Sequence, residues 1–135
     1  MLRRPYACWL VVVAVFASIP LAAIAAETAF PFGSELLLDG KPMRGTKRLP
    51  SLSIEQDGSA EIDLWCGSVR AQATVGSGTI AITPGARDNA QCDPERIAGD
   101  DDLLDMIVHM TKWRRRGDTV EFSGPATLRF HLMTN

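Results

Sequence analysis

The sequence predicts an α+β fold: a curved antiparallel β-sheet, or partial barrel, built from hairpins, with one packed α-helix before the last hairpin. Three observations lead there. Short stretches in which apolar and polar side chains alternate are separated by turn signals such as Asp57-Gly58 and Gly76-Ser77-Gly78. A single stretch after residue 99 repeats its apolar residues at three- and four-residue steps, the helical period. Cys66, at a strand end, and Cys92, just ahead of the helix, bracket 25 residues of strand-like sequence, so that one covalent link would tie sheet to helix.

The first quarter of the 135-residue chain has a different character. Arg3 and Arg4 precede the apolar run 9–19, Pro20 follows, and Ala23 and Ala25 form an A-x-A match. That order is the order of a secretory signal peptide. Residues 1–25 are read as the signal peptide, cut after Ala25 with a second compatible cut after Ala26, and residues 26–135 as a single domain. An uncleaved anchor is the competing reading of the same apolar length. Pro20 and the small residues favour cleavage, so stable membrane insertion of the mature chain is not expected. Cys8 precedes the apolar core and leaves with the peptide.

Loss of Arg3 and Arg4 turns 14 basic and 16 acidic residues into 12 and 16, a formal charge of −4. An acidic chain argues against a nucleic-acid partner. About 110 residues is one domain's worth, enough to bury a single core without several staples. Two cysteines in an oxidising compartment leave one intramolecular pairing, Cys66 with Cys92.

In chain order, Phe30-Pro31-Phe32-Gly33 reads as an entry segment covering one end of the core, and residues 35–38 as a short strand closed by Asp39-Gly40. Residues 41–50 form a basic loop without apolar period. Leu52 and Ile54 alternate with Ser53 and Glu55, Asp57-Gly58 turns, and Ile62 and Leu64 alternate with Glu61 and Asp63, which makes the clearest hairpin. Residues 69–75 and 79–83 make a second hairpin, and residues 84–94 read as a polar loop. Asp100-Asp101-Asp102 is read as the start of the helix, with Leu104, Ile107 and Val108 in the core. The helix is carried to about Trp113, where Lys112, Arg114, Arg115 and Arg116 would complement its C-terminal dipole. Residues 119–122 and 127–132 form the last hairpin.

Read in this order, the chain resembles the META domain, the family of small HslJ-like heat-shock-associated proteins. The resemblance is carried by Leu37-Leu38-Asp39-Gly40-Lys41-Pro42, by Leu52-Ser53-Ile54 before Asp57-Gly58, by Cys66-Gly67, by Cys92 ahead of the helix and by residues 113–121. The family's usual Gly-Cys-Asn stands here as Trp65-Cys66-Gly67, and its Trp-x-Leu as Glu35-Leu36-Leu37. The resemblance implies a curved antiparallel sheet with one packed helix and no established enzymatic chemistry.

The residues themselves offer few chemical constellations. Cys66 and Cys92 with His109 or His131 lack the close ligand pairs of a zinc site, and Asp100-Asp101-Asp102 lacks the spaced oxygens of a calcium loop. His109 and His131 sit in no nucleophile signature. Trp65 and Trp113 could stack on a ligand, although core and rim positions account for them. Arg114, Arg115 and Arg116 could contact a phosphate or another anionic partner, and helix-end charge accounts for them as well.

No catalytic residue, metal or cofactor is therefore expected. The leading expectation is an exported, periplasmic or secreted, monomeric and non-enzymatic protein that acts by binding an unknown envelope protein or small ligand or by supporting envelope integrity under stress. A periplasmic inhibitor or ligand-binding module using the basic loop or the basic cluster is the alternative, and a histidine-dependent hydrolase is a weaker one.

Overall fold

A computed structural model describes residues 28–89 and 91–133. The signal-peptide reading of residues 1–25 lies outside the described residues. Eight antiparallel strands, β1 (Leu36–Leu38), β2 (Ser51–Ile54), β3 (Ser59–Asp63), β4 (Ser68–Val75), β5 (Ile80–Asp88), β6 (Lys112–Arg116), β7 (Thr119–Ser123) and β8 (Thr127–Leu132), form one curved sheet. One helix, α1 (Pro94–Val108), packs on it. The spatial order is β5-β4-β3-β2-β1-β8-β7-β6. The short β1 therefore joins two meanders, β2 to β5 on one side and β6 to β8 on the other. The outer strands approach each other at one end, where Thr79 bridges Lys112 and the Trp113 N–H donates to the Gly78 carbonyl at 3.1 Å.

Period two decides the inner face. One row of paired residues crosses five strands as Val69, Ile62, Leu52, Leu36 and Leu132, and the first four of these are almost fully buried. A second row runs Leu38, Phe130, Val120. Leu103 and Ile107 of α1 close over the apolar face, and Phe30 seals one end, its ring centroid 5.0 Å from that of Trp113. The entry segment and both hairpins of the first meander stand as the sequence predicts.

Three expectations are corrected. The helix starts at Pro94, not at Asp100. Asp93 caps it through a 3.0 Å bond from the Arg96 N–H, and Pro94 occupies the first turn, where its missing N–H costs nothing. Asp100, Asp101 and Asp102 thus lie in mid-helix. The helix also ends at Val108, and Lys112–Arg116 is a strand whose charges complement no helix end. Pairing with β7 prevails over local helical preference there, and Gly117, at φ 61°, makes the tight return that a longer helix would forbid. Lastly, β5 continues to Asp88 through an irregular register opposite Val69 and Ala71, and it tolerates Pro84 because it is an outer strand. With the helix reset, Leu103 and Ile107 are its buried apolar residues, Leu104 is partly covered, and Val108 is only half-buried.

Cys66 and Cys92 are joined, with Cα atoms 5.8 Å apart, and link the loop after β3 to the residue ahead of the cap of α1. Asp100 reinforces this tie from the helix. It is completely buried, and its Oδ2 accepts the Gly67 N–H at 2.7 Å while both oxygens lie 3.3 Å from the Cys66 N–H. A Cβ at position 67 would stand 2.7 Å from the Asp88 carbonyl oxygen, which accounts for glycine there.

Candidate anion-binding face

The strand β6 sorts its basic residues by alternation. Lys112, Arg114 and Arg116 point outward and are exposed, whereas Trp113 and Arg115 turn inward. Arg115 shares the face of Val120 and Phe130; its Nε donates to the Gly117 carbonyl at 2.7 Å and its Nη1 to the Ala29 carbonyl at 3.1 Å. Of the three arginines read from the sequence as partner contacts, Arg114 and Arg116 therefore share one surface. Arg115 instead pins the N-terminal segment.

Register across β6, β7 and β8 builds two outward rows. The first is Arg114, Glu121, Arg129. Arg114 Nη2 donates to Glu121 Oε1, and Arg129 Nη2 lies 3.4 Å from Oε2, so one carboxylate is shared by two guanidiniums. Partial burial pushes the Glu121 carboxyl up, but the Arg114 and Arg129 hydrogen bonds and charges outweigh it and hold the group below the usual glutamate range. The second row is Arg116, Thr119, His131. Thr119 Oγ1 lies 3.3 Å from His131 Nδ1, and Asp39 Oδ2, at the end of β1, lies 3.4 Å from His131 Nε2. Arg116 has no ion-pair partner among the described residues.

The two rows and Asp39 line an open concavity of about 390 Å³. Its charges are Arg114, Arg116 and Arg129 against Glu121 and Asp39, an excess of one positive charge with His131 neutral and two with it protonated. The surrounding chain is acidic, so this surface runs against the overall balance. Such a local excess attracts anions and orients the molecule toward them.

The remaining sequence candidates are scattered. His109 caps the helix end, exposed, with Nδ1 2.8 Å from the Asp105 carbonyl oxygen. Asp101 pairs with Arg87, while Asp100 serves the disulfide loop. Trp113 donates its indole N–H to the Gly76 carbonyl at 2.9 Å and Trp65 packs against the core, so neither belongs to the basic face. In the basic loop, Arg48 pairs with Asp63 and reaches the Cys66 carbonyl, which spends its charge within the fold. No group of three or more potential metal ligands occurs among the described residues, and no helix among them is long and apolar enough to cross a membrane.

Thr119, Glu121, Arg129 and Asp39 carry no mark as site residues in the sequence. The signal was the period-two pattern of residues 119–123 and 127–132, which sets Glu121 opposite Arg129 once the hairpin is accepted. The third strand stayed hidden while residues 112–116 were assigned to the helix.

A curved eight-stranded sheet with one helix locked to it by a disulfide defines a small α+β domain of specific topology. The META domain model matches residues 33–134, and the chain belongs to that family. Searches of curated proteins and of solved structures return no match.

Proposed function

We propose that this chain is an exported, non-enzymatic META-domain protein that acts in the cell envelope under stress by binding an anionic partner on the outer face of β6, β7 and β8. One observation carries the reading: among the described residues Arg116 stands without a counter-ion, beside a pair of arginines that share a single carboxylate, on an otherwise acidic chain. The Cys66–Cys92 link supports an oxidising compartment, and the residue pattern 1–25 supports export. The test is capture of partners from envelope extract at low and high salt, using the parent protein and an Arg114→Gln, Arg116→Gln double variant. Partners held by the parent at low salt and lost by the variant support the reading. Equal capture by both proteins refutes it.

His131, set between the Thr119 hydroxyl and the Asp39 carboxylate, is an arrangement that favours the hydrolase alternative. Ester hydrolysis by the parent protein that disappears in His131→Ala would establish it; the expected result is no turnover by either.

A further inference from the structure

The row Arg116, Thr119, His131 brings three different hydrogen-bonding groups from three neighbouring strands to one side of the sheet. We propose that this row is a binding site for a phosphoryl group. The inference rests on the reading of the basic face given above and specifies its ligand chemistry.

Adjacent strands lie about 4.8 Å apart, so Thr119 at the centre of the row has Arg116 on one side and His131 on the other at one strand's spacing. A group seated over the Thr119 hydroxyl meets a guanidinium fork from one flank, a hydroxyl from below and an imidazole from the other flank. A phosphoryl group presents three oxygens in different directions and uses all of these. A carboxylate presents two oxygens in one plane, which a single guanidinium fork satisfies, leaving the other donors idle.

The neighbouring row supplies the electrostatic setting. Two residues farther along the strands, about 7 Å away, Glu121 cancels only one of the two charges of Arg114 and Arg129. The site therefore retains positive charge from that row in addition to Arg116. Glu121 also holds both arginine side chains upright at the rim, so they need little ordering when an anion arrives. Two carboxylates oppose the anion: Asp39 lies against His131, and Asp118 Oδ1 lies 3.4 Å from the Thr119 hydroxyl, so the Arg116 end of the row is the one that favours an anion.

The site is open and polar. It contacts one face of its ligand and suits a phosphoryl group exposed on a larger molecule or surface as well as free phosphate; the two sources share the same chemistry. The test separates them. Uniformly labelled full-length mature protein is titrated at constant ionic strength with inorganic phosphate, with acetate and with polyglutamate, following backbone amide shifts. In parallel, sedimentation is measured with phosphatidylcholine vesicles with and without phosphatidic acid, whose headgroup is a phosphate monoester.

Saturable phosphate shifts centred on Arg116, Thr119 and His131, at about tenfold lower concentration than acetate, support the inference with a soluble source. Sedimentation only with phosphatidic acid, and lost in Arg116→Gln, supports it with a headgroup source. Arg116→Gln should weaken the active probe by about tenfold, whereas Arg70→Gln, exposed on β4 of the other meander, leaves it unchanged. Acetate or polyglutamate binding this face as well as phosphate would overturn the phosphoryl assignment and leave the anion-binding reading standing. If no anion binds, both fall. Phosphate shifts that persist unchanged in Arg116→Gln would also overturn the proposed site.

Discussion

The disulfide corner and the basic face use the same kinds of side chain to opposite ends. At the corner, a buried carboxylate, Asp100, is met by two backbone N–H groups and sits beside the Cys66–Cys92 link. On the face, exposed arginines outnumber their acidic partners, and Arg116 has none among the described residues. Burying a charge is costly unless hydrogen bonds offset it, so the corner is complete in itself and contributes to holding the fold. Exposed charges in water contribute little to stability when paired. An excess of them costs the fold little and remains available for a partner. The comparison teaches that what separates the face from the corner is uncompensated charge rather than dense charge.

The harshest way to break the comparison is to put an unmet charge where the corner has a satisfied one. Ile107→Asp places a carboxylate under the sheet with no donor provided, and cooperative unfolding should be lost in a thermal melt. A melt within a degree or two of the parent would show that the buried face of α1 is misassigned.

Removal of the covalent tie comes next. Cys66 and Cys92 are 26 positions apart, and closing a loop of that size stabilises by about 3 to 4 kcal/mol in the chain-entropy view. Cys66→Ser and Cys92→Ser should therefore fold but melt earlier by similar amounts. The double variant should add little, since each single change removes the same bond. Thiol titration of the natively folded 26–135 chain, finding no free thiol without reductant, is the companion measurement.

Asp100→Ala leaves the Cys66 and Gly67 N–H groups without their acceptor and should cost about 1 to 3 kcal/mol in denaturant unfolding. The equivalent change on the face, Arg116→Gln, should leave the unfolding midpoint unmoved. A large loss there would erase the distinction between the two regions.

The smallest effect is the most specific to the face. The Glu121 carboxyl lies below its ordinary range in the folded protein, so its contribution to stability is present in full above the unfolded glutamate value, about pH 4.3. It fades as the pH falls through the lower, folded value. Melting temperature followed downward from pH 6 should show a slope that is shallower in Glu121→Gln. The same variant frees Arg114 and Arg129 and should bind an anionic ligand more tightly, the opposite of Arg116→Gln.

Much of this molecule was determined by local sequence. Alternation in residues 52–54, 60–64 and 69–75 assigns inner and outer faces without knowledge of the fold, because successive side chains of a strand must point to opposite sides. The cysteine pairing followed from reading residues 1–25 as a signal peptide, which leaves two of the three cysteines, and the resemblance to the META domain from the order of turns and strands. The limits of α1 were also legible in Asp93-Pro94, a cap and first-turn signal that the conspicuous acidic triplet obscured.

Residues 112–116 were different. Trp-Arg-Arg-Arg has no apolar period of its own, and only hydrogen bonding to β7 made it a strand, divided its arginines between two faces and set Arg116 level with Thr119 and His131. The first meander could be read residue by residue because its faces are written in apolar and polar side chains. The basic face could not, because its rows consist of residues from three strands and a loop, and their adjacency depends on pairings that arise only when the sheet assembles.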